Sequence, residues 1–172
     1  MRLFLLAAAV LPLIATAPAN AADVVDADVI VKSLRGVKHM SATPAAATPA
    51  TPVPADAPAV SLLVLFDSGS ADLSGAGRAQ LDQLGSALKN PALAGAHFRI
   101  EGHTDTVGDD QTNLALSERR AKAVVDYLVA KFAVEAARLV AVGKGKQDLA
   151  VKTPDQTPEA ANRRVVVINL DG

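Results

Sequence analysis

A proline-rich stretch divides the chain and limits where a packed core can form. Residues 41–60, SATPAAATPATPVPADAPAV, contain five prolines among alanine and threonine. This composition favours extended polyproline geometry and cannot bury a core, so it predicts a linker. The 172-residue chain is therefore expected to form one domain over residues 61–172, a length typical of a single domain.

The first 21 residues have the three-part pattern of a secretory signal peptide. Arg2 precedes an apolar run over residues 3–14, and the small-residue pattern Ala19-Asn20-Ala21 follows. A membrane-spanning helix is the alternative, but the run is shorter than the roughly twenty residues needed and Pro12 interrupts it. We predict cleavage after Ala21 and an exported protein, which has no cysteine for a disulfide or a thiol-linked lipid.

The short segment 22–40 between the signal peptide and the linker is ambiguous in sequence. Its apolar residues fit two patterns equally: Ala27, Ile30, Val31 and Leu34 form a helical stripe, and Val25, Ala27, Val29 and Val31 alternate as in a strand. Two roles remain open for this segment. It could dock onto the domain or a partner, or it could be a disordered tail.

Six regular elements follow the linker. Four apolar runs predict strands at residues 62–66, 97–102, 138–143 and 164–170. Between the first three strands lie two predicted helices: one capped by Ser74, with Leu81, Leu84 and Leu88 at helical spacing, and one with Leu114, Ala121, Val125, Leu128 and Phe132 on one stripe. A polar loop over 144–161 precedes the last strand. The order β-α-β-α-β-β predicts an α+β fold, with a mixed four-stranded sheet and the helices packed on one face.

The turn between the second strand and the second helix is unusually polar. We expect Asp105 to be exposed at the strand end, Gly108 to permit a tight turn, and Asp109 to cap the helix. Spacings of four and three place Asn113, Ser117 and Arg120 on one ridge, beside the apolar stripe.

Opposite charges on this turn and helix suit a zwitterionic ligand. An ammonium could meet Asp105 while a carboxylate meets Arg120 as a bidentate pair. The alternative is that Asp105 and Arg120 simply bridge each other and hold the turn on the helix, because ion pairs can be purely structural. The spacing alone leaves both open.

Composition argues against several other functions. A formal charge of -1 and an aromatic fraction of 3% provide neither the basic field nor the stacking surface that nucleic acid requires. His103 and Asp105 could share a metal, but three histidines and no cysteine are few ligands, so we predict no metal or cofactor. No GxSxG elbow or thiol indicates an enzyme; a periplasmic hydrolase using His103 and Asp105 is the rival hypothesis.

Four sequence stretches resemble one family. The run GHTDTVGDDQTNLALSERRAKAVVDYL (102–128) resembles the signature of the OmpA-like peptidoglycan-binding domain, which is shared by peptidoglycan-associated lipoproteins and flagellar stator proteins. LFDSGSADL (65–73) is similar to the family's first strand and turn, ARLVAVGKG (137–145) to its third strand, and ANRRVVVINL (161–170) to its closing strand. The resemblance implies an OmpA-like fold in the envelope of a Gram-negative cell.

The same resemblance implies a function and a set of site residues. It implies noncovalent binding of the peptidoglycan stem peptide at its diaminopimelate residue, held by Asp105 and Arg120. The other matching positions are Asn113, Thr104, Leu116, Arg163 and Arg164. We expect a periplasmic protein, either unattached or associated with the outer membrane. As an adaptor, it would recruit an envelope protein through residues 22–40.

Overall fold

The computed structural model describes residues 24–35, 57–67 and 69–171. Within these ranges the strands are β1 (Ala59–Leu62), β2 (Phe98–His103), β3 (Leu139–Gly145) and β4 (Val165–Asn169), and the α-helices are α1 (Ala27–Leu34), α2 (Gly75–Leu88) and α3 (Asp110–Phe132). The strand order is β1-β4-β2-β3, with β2 and β3 parallel and the other pairs antiparallel. This confirms the predicted α+β fold. The predicted signal peptide and most of the predicted linker lie outside the described residues.

One face of the sheet packs against the helices. Phe98 and Ile100 of β2 are fully buried there, as their alternation with polar residues predicts. Gly102 continues this face, and a Cβ at that position would collide with the backbone of α3. The helix therefore approaches the end of β2 closely. No helix in the described part of the chain is long and apolar enough to cross a bilayer.

The ambiguous N-terminal segment forms a helix that packs on its own domain. Ile30 and Leu34 of α1 are fully buried in the common core. The side chain of Gln80, on α2, accepts a hydrogen bond from the backbone N–H of Val25 (2.9 Å) and donates one to its carbonyl (3.2 Å). Asn169 of β4 donates to the carbonyl of Leu34 at 2.9 Å. The helical pattern is therefore confirmed for 27–34, and the strand pattern is wrong.

The prediction of a strand over 62–66 is wrong in its bounds. β1 pairs with β4 from Ala59 to Leu62, so it begins inside the predicted linker and ends where the predicted strand begins. Beyond it Val64 is buried, whereas Leu63 and Leu65 are 37% and 38% exposed. The apolar run has the pattern of a buried strand, because periodicity cannot show that residues 63–66 border a cavity.

The predicted apolar stripe of α3 is also partly wrong. Leu114 is 40% exposed, and the buried face instead comprises Asn113, Ser117, Arg120, Ala121, Val124 and Leu128. The first turns of α3 cross the polar end of the sheet, where the hydroxyl of Ser117 accepts the backbone N–H of Gly145 at 2.9 Å. The ridge predicted to flank the stripe is therefore the start of the buried face.

Candidate ligand-binding site

A cavity of about 520 Å³ opens where the chain after β1, the turn after β2, and α3 meet. The segment before β4 supplies its remaining wall. Six of the seven predicted site residues line this cavity: Thr104, Asp105, Asn113, Leu116, Arg120 and Arg163. The structure thus brings together residues that are almost 60 positions apart in sequence.

Arg120 is the buried cation of the cavity. Its side chain is only 7% exposed, and its guanidinium lies over the ring of Phe66, 5.0 Å from the centroid. Nε donates to the carbonyl of Ser70 at 3.0 Å, whereas neither Nη group has a hydrogen bond or ion pair within the described residues. Burial lowers the pKa of Arg120, as does nearby Arg163, while Asp105 opposes the shift. The guanidinium remains charged, so its Nη groups can donate to an anion in the cavity.

Asp105 is the carboxylate of the same cavity, and it is buried rather than exposed as predicted (8%). Arg163 Nη1 donates to Asp105 Oδ2 at 2.7 Å, and the N–H of Val107 donates to Oδ1 at 3.3 Å. The bridge between Asp105 and Arg120, which was the alternative that the spacing left open, is not formed. Because a carboxylate offers about four acceptor positions, Asp105 can accept further donors without losing Arg163.

Local backbone chemistry fixes the turn between Asp105 and α3. Gly108 has a φ of +93°, which glycine adopts readily. Asp109 caps the helix by accepting the N–H of Thr112 at 2.8 Å, as predicted. Asn113 Nδ2 donates to the carbonyls of Val107 (2.8 Å) and Asp109 (3.0 Å). These two hydrogen bonds hold the turn on the helix.

Thr104 presents a polar group that lacks a partner. Its backbone N–H donates to the carbonyl of Gly145 at 2.9 Å, which ties the start of the turn to β3. The side chain lines the cavity, yet Oγ1 is buried and has no hydrogen-bond partner within the described residues. A buried hydroxyl without a partner is costly, so Thr104 lowers the stability of the turn beside the cavity.

Arg164 and His103 do not reach the cavity. Arg164 Nη2 donates to the carbonyl of Asp148 at 2.7 Å. His103 Nδ1 lies 3.1 Å from the carbonyl of Gln147, and Nε2 lies 3.9 Å from the carboxylate of Glu101. Burial first, and then the charge of Arg164, lower the pKa of His103 to about 4.

His103 and Asp105 are therefore not brought together as a catalytic pair or a metal site. They would share a face if β2 continued, but the strand ends at His103, and its pairing register shifts between Gly102 and His103. Within the described residues, no cluster of three or more His, Cys, Asp or Glu side chains could hold a metal.

Sequence reasoning missed the apolar rim of the cavity. Leu63, Leu65 and Val107 line it and are among the most exposed large apolar side chains of the described chain. The acidic turn that follows the run LLVLF was the available signal, since a strand that ends in a polar turn can present its last residues to a site.

Known proteins share this architecture. The solved structure of the peptidoglycan-associated lipoprotein from Burkholderia pseudomallei is 33% identical, with a TM-score of 0.52, and the match covers 63% of this chain and 88% of that one. A putative MotB-like protein from Desulfovibrio vulgaris is 25% identical, with a TM-score of 0.57 over 66% and 73% of the two chains. Outer membrane porin F of Pseudomonas aeruginosa is 37% identical over 114 residues, which is 66% of this chain and 32% of the porin.

The fold and the charged cavity define a domain of the OmpA-like class. The chain belongs to the OmpA family, whose family model matches residues 65–164. Outer membrane protein A of Escherichia fergusonii is 42% identical over 85 residues, which is 49% of this chain and 35% of that protein. The chain thus spans about a third or less of the length of the full-length relatives it matches. These relatives are proteins of the bacterial outer membrane.

Proposed function

We propose that this domain binds peptidoglycan noncovalently, through the diaminopimelate residue of the stem peptide. The observation that carries the proposal is the buried guanidinium of Arg120, whose Nη groups have no partner in the described chain and share a cavity with Asp105. Family membership supports it, since one similar structure is that of a peptidoglycan-associated lipoprotein.

The side-chain end of diaminopimelate carries an ammonium and a carboxylate on one carbon. In our proposal the carboxylate pairs with the Nη groups of Arg120, because planar guanidinium and carboxylate groups match bidentately. The ammonium donates to Asp105, which retains acceptor capacity beside Arg163. Thr104 borders the ligand, and Leu116 packs against its methylene groups. Asn113 shapes the turn, and Arg164 contributes only indirectly because it lies outside the cavity.

Two charged contacts support a moderate affinity at one site. A hydrogen bond to a charged group contributes about 1.5–3 kcal/mol, so the two contacts supply about 3–6 kcal/mol. A dissociation constant in the micromolar range corresponds to a binding free energy of about -8 kcal/mol, and packing against the apolar rim of the cavity supplies the remainder. The polymer offers many stem peptides, and rebinding to neighbouring copies would keep the protein on the wall without tight binding at any one. This is consistent with a tether in the periplasm.

The test measures cosedimentation with purified sacculi and calorimetric titration with a diaminopimelate-containing muropeptide. Arg120→Gln should weaken binding by about ten- to a hundredfold, because it removes one charge-assisted contact. Arg119→Gln is the matched control, since Arg119 precedes it, is exposed and loses the same charge. Asp105→Asn should also weaken binding, with the exposed Asp126→Asn as its control.

Circular dichroism should show a folded domain for all four variants, which separates loss of binding from loss of the fold. Wild-type affinity in both Arg120→Gln and Asp105→Asn would show that the site is elsewhere. A muropeptide with an amidated diaminopimelate carboxylate should bind wild type weakly, since amidation removes the negative charge that Arg120 requires.

The same sacculi separate a binding module from the rival hydrolase. We expect no release of muropeptides on prolonged incubation, because His103 and Asp105 do not share a site. The adaptor hypothesis for residues 22–40 is not favoured either. The apolar face of α1 is turned onto its own domain, with Ile30 and Leu34 fully buried.

A further inference from the structure

The loop before β4 is fastened to the turn that carries Asp105 by hydrogen bonds from two side chains. In the turn, Thr106 forms hydrogen bonds with Gln156 and Thr157 of the loop, and Gly108 forms hydrogen bonds with Gln156. We call these contacts the clasp. The backbone N–H of Gln156 donates to the carbonyl of Thr106 at 3.0 Å. Elsewhere the loop is held by other contacts, such as the two hydrogen bonds between Val151 and the side chain of Asn162, so the clasp is what holds residues 156–157 on the turn.

The hydroxyl of Thr106 is the centre of the clasp. It accepts the backbone N–H of Thr157 at 3.0 Å, and its proton can be donated to the carbonyl of Pro154 (2.7 Å) or of Thr157 (3.0 Å). Thr106 is buried. Without the hydroxyl, the N–H of Thr157 and these carbonyls would lose a hydrogen-bond partner at a half-buried position, which is unfavourable.

The amide of Gln156 completes the clasp on the other side of the turn. Its Oε1 accepts the backbone N–H of Gly108 at 2.9 Å, and its Nε2 donates to the carbonyl of Gly108 at 3.2 Å. Gln156 has a φ of +55°, a left-handed conformation that side-chain-bearing residues seldom adopt. A conformation of this kind persists where surrounding contacts fix it.

The clasp joins two walls of the cavity. On one side Thr106 directly follows Asp105, and on the other side the loop continues through Pro158 and Ala160, which line the cavity. It then reaches Arg163, whose guanidinium pairs with Asp105. The clasp and this ion pair therefore close a ring of contacts around the carboxylate.

We infer that Thr106 and Gln156 are positioning residues that hold Asp105 and Arg163 in register across the cavity for a ligand ammonium. The inference rests on the proposed function. Neither residue was among the site positions predicted from sequence, and Gln156 does not line the cavity. Binding sites work when their side chains are held within about 0.5 Å of the productive arrangement. Loosening the clasp therefore weakens binding without removing a ligand contact.

The experiment compares Thr106→Val with Thr106→Ser in the chain lacking its predicted signal peptide. Valine keeps the shape of threonine without the hydroxyl, whereas serine keeps the hydroxyl. Calorimetry with a disaccharide tetrapeptide that contains diaminopimelate should show about tenfold weaker binding for Thr106→Val, because misplacement by a fraction of an ångström is enough to impair a site. Thr106→Ser should bind like wild type.

A second variant and a second measurement keep the test decisive. Gln156→Gly removes the amide while suiting the left-handed backbone, and it should weaken binding similarly even if Thr106→Val does not fold. By hydrogen exchange, the amide of Thr157 should exchange about tenfold faster in Thr106→Val, while that of Ile100 in the core is unchanged.

The outcomes distinguish this inference from the proposed function. Equal affinity of wild type, Thr106→Val and Gln156→Gly would overturn the inference and leave the proposed function standing. Equal weakening by Thr106→Ser and Thr106→Val would also overturn it, since the hydroxyl would not be responsible. Failure of wild type to bind the muropeptide would overturn the proposed function, and the inference with it.

Discussion

Replacing Ile30 by alanine tests whether α1 is part of the domain. Ile30 is fully buried, and it lies in the same core as Leu34 and the sheet. Truncation of a buried isoleucine to alanine costs about 2–5 kcal/mol, from lost burial and the cavity left behind. We expect about 3 kcal/mol for Ile30→Ala. This would lower the melting temperature by roughly 10 °C for a domain of this size.

The assay is urea unfolding of the chain lacking its predicted signal peptide. Val29→Ala is the matched control, since Val29 lies on the same helix and is 52% exposed. Both changes raise helix propensity similarly, so the difference between them reports packing. An isolated helix of eight residues is too short to be stable by itself. Equal stability of the two variants would refute the packing of α1 and would reopen its role in recruiting a partner.

Two further predictions concern stability. Gly102→Ala should destabilise the domain by about 1–3 kcal/mol, because its Cβ would collide with a carbonyl of α3. Gly75→Ala should change stability by no more than about 0.5 kcal/mol, because a Cβ at this position meets open space. Equal stability of Gly102→Ala and Gly75→Ala would contradict the close approach of α3 to β2. Since burial lowers the pKa of His103 to about 4 from 6.5, the unfolded chain gains that proton first, and stability should fall by up to about 3 kcal/mol from pH 6.5 to 4. In acid unfolding, His103→Gln should lose less stability over this pH range than wild type. Glu101 has a raised pKa, which acts in the opposite sense, but it is present in both proteins. An unchanged pH profile would show that His103 does not cause the loss.

Local chemistry made much of the fold predictable. Ser74 and Asp109 were expected to cap helices, and each accepts a backbone N–H in the first turn of its helix. The alternation around Phe98 and Ile100 also predicts which face of β2 joins the apolar core, although Arg99 and Glu101 on the other face are buried as well. These features depend on residues within a few positions of one another, so they can be derived without knowing where the chain folds back.

Long-range contacts could not be predicted in the same way. Asp105 was expected to be exposed, but Arg163, 58 positions later, covers and pairs with it. The buried face of α3 depends on the close approach of β3, where a Cβ on Gly143 would collide with Glu118. Helical periodicity shows that a face exists but not which polar residues it will bury. The clasp was missed for the same reason, since threonine and glutamine in a loop carry no distinctive pattern.

The charges of the cavity explain why binding and stability should be linked. Arg120 and Arg163 face the buried carboxylate of Asp105, while Asp67, the other acid of the lining, is exposed to water. The buried guanidinium of Arg120 is thus only partly compensated, and burying such a charge costs stability in the unliganded protein. A ligand carboxylate would offset that cost. A ligand at a hundred times its dissociation constant stabilises a folded state by about 2.7 kcal/mol. The same muropeptide concentration should stabilise Arg120→Gln, which binds about ten- to a hundredfold more weakly, by only about 0.4–1.4 kcal/mol, so the melting temperature should rise much less in the variant than in wild type. A similar increase in both would show that Arg120 is not where the carboxylate binds.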